Sequence, residues 1–177
     1  MLQLDFSVFP VLETERLVLR RLVNTDVNDL VIIRSDEKVN EFLYRPKSTT
    51  KEEAIQFIEK INRGIDENQS IYWVITEKGK DKLIGTICIW NINKENEVAE
   101  TGYELLPLFQ GRGIMQEALA KVIEFAFADM KLKILEACTE PGNTRSYLLL
   151  EKFHFKKKPE PADTVELIYS LNNPGNK

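Results

Sequence analysis

Between Leu105 and Met115 the chain reads Leu-Leu-Pro-Leu-Phe-Gln-Gly-Arg-Gly-Ile-Met, an extended apolar segment that runs through a glycine-flanked arginine into a long amphipathic stretch. This order demands a strand that hands over to a helix through one tight bend. Gly111 and Gly113 carry no side chain to block approach. The first amides of the following helix have no intrahelical acceptor, and the helix dipole is positive at that end. The junction is therefore predicted to be an anion cradle made of backbone N–H groups. Spacing sets two other phosphate loops aside. The third glycine of a dinucleotide fingerprint would fall at Gln116, and no G-x-x-x-x-G-K-[ST] run occurs.

The helix after the cradle carries Ile114, Met115, Ala118, Leu119, Val122, Ile123, Ala126 and Phe127 at helical spacing, a stripe that needs a sheet to bury it. Strand-like alternation runs from Thr14 to Leu22, and β-rich runs cover Ile71 to Thr76, Leu83 to Trp90 and Val98 to Leu106, which read together as an antiparallel meander. Asn24 and Asp26 offer caps for a helix reaching about Val39, and Thr50 with Glu53 opens a second helix to Ile65. Ile134 to Thr139 is a further strand, and Asn143 to Phe153 a last helix with Leu148, Leu149 and Phe153 as its core candidates. Phe155 and Val165 to Leu171 finish the sheet, with Lys156 to Pro161 as a solvated loop. Residues 172–177 read as a flexible tail.

At 177 residues with 43% hydrophobic and 29% charged side chains, one domain spanning 1–177 is expected. No apolar run is long enough to cross a bilayer, and Met1 to Pro10 has no basic region and an early Asp5, so a cytoplasmic protein without a membrane role is expected. A net charge of −4 without a dense Lys/Arg face disfavours direct nucleic-acid binding and suits basic or amine-bearing partners. Cys88 and Cys138 lie in apolar strand-like segments without metal-ligand spacing, which predicts buried reduced thiols and no metal.

Gln110-x-x-Gly113, placed after a strand and opening a helix, resembles the pyrophosphate motif of the GNAT superfamily of acyl-CoA N-acetyltransferases. Glu140-Pro141-Gly142-Asn143-Thr144-Arg145-Ser146, then Leu149-Leu150-Glu151-Lys152 and Phe153-His154-Phe155, resemble the second half of that acyl-CoA site. There, N-x-x-S on the last helix precedes an L-x-E-K-x-G-F-like close. With the Glu15-Arg16-Leu17-x-Leu19-Arg20 opening, the resemblance covers nearly the whole chain. Phe109 to Met115 and Ala99 to Tyr103 are most similar to the branch that acetylates ribosomal-protein N-termini at alanine or serine. The resemblance implies an α/β GNAT fold: a mixed, mostly antiparallel sheet whose central strands splay, with helices on both faces. It also implies acetyl-CoA as cosubstrate, an amine acceptor, and homodimerisation as a family-level expectation.

Carried over residue by residue, the resemblance implies that the backbone of Gln110, Gly111, Arg112, Gly113, Ile114 and Met115 holds the diphosphate. The backbone of Tyr103, Glu104 and Leu105 pairs with pantetheine as an extra strand and supplies an oxyanion N–H. Asn143 bonds pantetheine or caps its helix, two compatible roles, and Ser146 lies near the sulfur. Glu100 is the candidate base, and strand alternation puts Glu100, Gly102 and Glu104 on one face, with Glu104 as the second carboxylate. Three positions depart from the pattern. Met115 stands where many relatives have Gly or Ala, Leu150 stands where other branches have a tyrosine acid, leaving Ser146 as substitute, and His154 stands at a glycine position. Trp73, Trp90, Tyr44 and Phe42 either wall an acceptor pocket or pack ordinarily.

Direct transfer needs a neutral amine. An α-amine of pKa near 7.7 to 8.0 is about one-tenth neutral at pH 7, and a lysine near 10.4 below about one part in a thousand, a difference of roughly 3.5 kcal/mol. A protein N-terminus, such as that of a ribosomal protein, is thus the expected acceptor. A small amine (polyamine, aminoglycoside or amino acid) is the second reading, and an acyl-CoA-binding regulatory module without turnover is the third.

Overall fold

Among the described residues, eight strands form one sheet, the central β-run Ile71–Glu77 buried on both faces. In the computed structural model, which describes residues 1–43, 45–47, 49–159 and 166–175, these are β1 (Leu12–Glu13), β2 (Leu17–Arg21), β3 (Ile71–Glu77), β4 (Gly85–Asn93), β5 (Val98–Leu105), β6 (Ile134–Thr139), β7 (Lys156–Lys157) and β8 (Leu167–Asn172). Their order is β1-β2-β3-β4-β5-β6-β8-β7. Every neighbour pair is antiparallel except β5 with β6, which is parallel. Among the described residues, four α-helices cover the sheet: α1 (Val27–Ser35), α2 (Lys51–Asp66), α3 (Ile114–Ala128) and α4 (Thr144–Lys152).

Two adjacent residues of β3 show which helix lies where, because neighbouring strand side chains point to opposite faces. Tyr72 meets Phe57 of α2 edge-on at 5.8 Å, and Trp73 meets Phe125 of α3 at 5.4 Å. α1 and α2 therefore cover one face and α3 the other. Trp73, Ile87 and Tyr103 share a row across β3, β4 and β5, and the Tyr103 phenol reaches Ser146 on α4, which puts α4 on the α3 face.

Local chemistry sets the helix ends. Thr50 accepts from Glu53 N–H while Glu53 accepts from Thr50 N–H, a reciprocal cap that starts α2. α1 is preceded by a 3₁₀ turn at Asn24–Asp26 and stops at Ser35, short of the expected Val39. The Asn40 amide explains the stop, since it donates to the carbonyls of Arg34 (2.9 Å) and Asp36 (2.7 Å). Asp26 does not cap α1 with its side chain; it takes the Arg20 guanidinium at 2.7 and 2.8 Å instead.

α4 buries Leu150 completely and packs the half-buried Leu149 and Phe153 against the core as expected, whereas Leu148 is 54% exposed and does not join it. The helix ends in a paired backbone cap: His154 N–H donates to Glu151 O (2.9 Å) and Phe155 N–H to Leu150 O (3.1 Å). His154 takes the left-handed conformation there, at φ 65°, which a glycine would adopt without steric cost. Lys156 and Lys157 form the outer strand β7 rather than a loop, and two exposed lysines on an edge strand discourage pairing with another chain. The expected features at Tyr44, Glu160, Pro161, Val165 and residues 176–177 lie outside the described residues.

Candidate active site

The parallel partnership of β5 and β6 lasts only three residues, Val98 to Glu100 against Ile134 to Glu136. Beyond Glu136, β6 continues to Thr139 paired with β8 alone. From Thr101 to Leu105 β5 therefore keeps β4 on one side and has a gap on the other. Leu106 N–H donates to Ile84 O at 2.9 Å, so in the antiparallel ladder the backbone of the even-numbered residues points to β4. The backbone of Tyr103 and Leu105 faces the gap, where Leu105 O accepts from the Gln110 amide at 2.9 Å. This corrects the expectation for Glu104, whose backbone belongs to the β4 ladder.

The gap opens into a cleft of about 1060 Å³. Its walls are residues 103–105 of β5, the β5–α3 bend, the start of α4 from Gly142, and residues 38, 39 and 41–43 of the α1–α2 connection. At the bend both Gly111 and Gly113 have φ 74°. A Cβ on Gly111 would meet nothing within 4 Å, and one on Gly113 only Arg16 Nη2 at 3.5 Å. Backbone conformation, not crowding, calls for glycine here. The first α3 bond from outside the helix is Glu117 N–H to Gly113 O at 3.0 Å. None of the six amides from Gly111 to Gln116 donates to a protein acceptor among the described residues.

The bend is anchored by Arg16, whose guanidinium donates to Arg112 O (3.0 Å) and to Glu117 (2.6 Å), while Glu117 also accepts from Arg16 N–H at 2.9 Å. Arg112 itself stacks over Phe109 at 5.7 Å and is not on the cleft wall. On the opposite wall, Asn143 caps α4 by accepting from Ser146 N–H at 3.2 Å. Ser146 Oγ lies 3.0 Å from the Tyr103 phenol, whose pKa is pushed up to about 12, chiefly by burial. Arg145 crosses the mouth of the cleft to donate to Gln110.

Residues 16–156 match the family described as acetyltransferase (GNAT) domain. The chain belongs to the GNAT acetyltransferases. Among curated relatives, the N-acetyltransferase p20 of Bacillus licheniformis is 35% identical over 83% of each chain. YoaA of Bacillus subtilis, also named as an N-acetyltransferase, is 30% identical over 85% of each. In fold, the chain superposes on a ribosomal-protein-S5-alanine acetyltransferase from Vibrio fischeri with a TM-score of 0.82 at 23% identity, covering 95% of this chain and 99% of that one. It is thus an N-acetyltransferase that uses acetyl-CoA, and the mixed sheet with splayed central strands is the GNAT architecture expected from the motifs.

The cleft fits the coenzyme on its own chemistry. Six unsatisfied amides at a positive helix end suit a diphosphate, and an open strand edge suits the pantetheine amides. Gln110, Gly111, Gly113, Ile114, Met115, Asn143 and Ser146 all line this GNAT cleft, with Tyr103, Glu104 and Leu105. The Met115 side chain, 9% exposed, packs into the core.

Glu100 is not on the cleft wall. It lies at the closed end where β5 and β6 still pair, and its carboxylate accepts from the Asn91 amide at 2.6 Å. Trp73 is fully buried beside Phe125, with its indole N–H on Pro10 O, and Trp90 lies away from the cleft, whereas Phe42 does line it. Cys88 is half-buried, with its thiol pushed up to about 12 by burial, but Cys138 is exposed because its face of β6 lies open next to Glu100.

Three contributions were missed in the sequence: Arg16 as the anchor of the bend, the side chain of Tyr103, and the side chain of Arg45, which pairs with Glu104. The strand alternation that sends Tyr103 to the α4 face was a usable signal. Nothing in the local sequence foretold the other two, which are contacts between distant segments.

Proposed function

We propose that this N-acetyltransferase moves the acetyl group of acetyl-CoA to the α-amine of a protein N-terminus by direct attack within a ternary complex. One observation carries the reading: five residues of the bend with free amides (Gly111, Gly113, Ile114, Met115 and Gln116), the open edge of β5 and the Tyr103–Ser146 hydroxyl pair line one continuous cleft. In that order they offer an anion site, a strand-pairing site and a hydrogen-bonding site for a leaving thiolate.

Bound acetyl-CoA would supply the activated thioester. The protein's part is to hold and polarise. The amides of residues 111–116 bind the diphosphate, and Tyr103 and Leu105 present backbone groups to the pantetheine and an N–H to the carbonyl oxygen. Ser146 donates to the sulfur, oriented by the Tyr103 phenol, which keeps its proton through the neutral pH range. The ionisation argument favours an α-amine over a lysine, and the likeness to an S5-alanine acetyltransferase supports the same acceptor class.

Thiol release from acetyl-CoA across N-terminal peptides and small amines tests this. Turnover with peptides and not with spermidine or an aminoglycoside is expected. Turnover confined to small amines would overturn the acceptor class, and coenzyme A binding without any release would overturn the catalytic reading.

A further inference from the structure

Two carboxylates border the cleft among the described residues. Glu41 is exposed on the α1–α2 connection, and Glu104 is 8% exposed at the cleft floor. Glu104 and Tyr103 are consecutive on β5, so they leave the strand on opposite faces. The Tyr103 phenol goes to Ser146 on the α4 face, and the Glu104 carboxylate goes to the α1–α2 face beside Thr86 of β4. The gap after Glu100 joins the two faces at this level of the sheet. A thioester paired with the β5 edge thus has the hydroxyl pair on one side and the Glu104 carboxylate on the other, the side walled by residues 38, 39 and 41–43.

The Glu104 carboxylate is held but not saturated. Thr86 Oγ1 donates to Oε1 at 3.1 Å, and Arg45 pairs with Oε2. A carboxylate has about four lone-pair sites, so these two contacts do not exhaust it, and the residue lines the cleft. Arg45 is fixed in turn, because its Nε donates to Asn40 Oδ1 at 3.1 Å and Asn40 is locked onto the end of α1. Glu100 shares the face of Glu104 but lies four residues, about 13 Å, along the strand toward the closed end.

We propose that Glu104 is the catalytic residue that receives the acceptor's ammonium group and removes the proton that frees its lone pair. The proposal rests on the acetyl-CoA reading above and deepens it. One proton passes from R–NH3⁺ to the Glu104 carboxylate, and the freed lone pair forms the C–N bond to the thioester carbonyl carbon. The C–S bond breaks, with its electron pair going to sulfur. A second nitrogen proton reaches the sulfur through the Ser146 and Tyr103 hydroxyls, giving amide and thiol, and Glu104 returns its proton to water. Arg45 is a positioning residue that orients the carboxylate and ties it to the acceptor-side wall.

The test compares wild type, Glu104→Gln, Glu100→Gln and the double variant Arg45→Met/Glu104→Gln. The probes are an alanyl hexapeptide with a free N-terminus and spermidine, and coenzyme A affinity is measured by calorimetry on the same samples. The double variant covers the case in which Glu104→Gln alone fails to fold for want of a counter-charge to Arg45. For whichever probe the wild type acetylates, Glu104→Gln and the double variant are expected to lose at least 100-fold in kcat/KM, within the usual range for a positioned base. Both should keep coenzyme A affinity within about threefold, and the Glu104→Gln loss should exceed that of Glu100→Gln by at least tenfold. Turnover within threefold of wild type in either variant, an equal or larger loss in Glu100→Gln, or a loss that tracks coenzyme A affinity overturns the proposal. If the wild type acetylates neither probe, the functional reading falls and takes this proposal with it.

Discussion

Replacing Gln116 with proline removes one backbone donor from the bend and almost nothing else. Gln116 is the third residue of α3, ahead of Glu117, whose N–H makes the 3.0 Å bond to Gly113 O. Its own N–H has no protein acceptor among the described residues, so proline there breaks no intrahelical bond, and its fixed φ suits the first helical turn. The side chain is also lost, with its 2.7 Å contact to Lys152 Nζ on the surface, so the proper reference is Gln116→Ala, which loses the same contact and keeps the amide. A hydrogen bond to a charged group is worth about 1.5–3 kcal/mol, which corresponds to about 10- to 150-fold in affinity. Calorimetric titration with coenzyme A should show Gln116→Pro binding weaker than Gln116→Ala by a factor in that range, with both proteins melting within a few degrees of each other. Equal affinities for the two variants would refute a diphosphate held by the amides of this bend.

Other consequences are equally specific. Gly113→Ala should cost about 1–2 kcal/mol, because an L-residue at φ 74° is strained even though its Cβ has room; this is roughly 2–8 °C in melting temperature for a chain of this size. His154→Gly should raise the unfolding free energy by about 0.5–1 kcal/mol, read as a higher denaturant midpoint at unchanged m, since it relieves the left-handed residue that closes α4 at some cost in unfolded-chain entropy. Ser146→Ala and Tyr103→Phe should each lower turnover partially and leave coenzyme A affinity largely intact, as read by thiol release and calorimetry. Burial raises Cys88 from 9.0 to about 12 and Tyr103 from 10.0 to about 12. The native state thus keeps protons that the unfolded chain releases, so this stability is complete below about pH 9 and is lost as pH rises to about 12. Urea melts at pH 8 and pH 10.5 should show the decline, and Cys88→Ala should flatten it.

The sequence disclosed whatever depends on period and on nearest neighbours. The three meander strands, the reciprocal cap at Thr50, the α3 stripe and the glycine-flanked bend all emerged where expected, because two-residue and helical repeats and local hydrogen bonds are written in consecutive residues. The end of α1 was misjudged because an Asn40 side chain outcompetes the next helical turn. On α4, Leu149 and Phe153 meet the core as expected, but Leu150 was overlooked and Leu148 misplaced, because a nine-residue helix at the rim of a cleft turns Leu148 toward the opening. Alternation placed Glu100 and Glu104 on one face correctly, yet it could not locate where β6 departs. That departure, just beyond Glu100, decides which carboxylate meets the cleft, and it depends on β6 pairing with β8 from a segment thirty residues away.

A crystal structure with coenzyme A bound tests the central claim most directly. The account predicts diphosphate oxygens within hydrogen-bonding distance of several amides between Gly111 and Gln116, and pantetheine running along β5 with its amides on Tyr103 and Leu105. Coenzyme A seated elsewhere, or a bend whose amides stay turned away from the diphosphate, would contradict it.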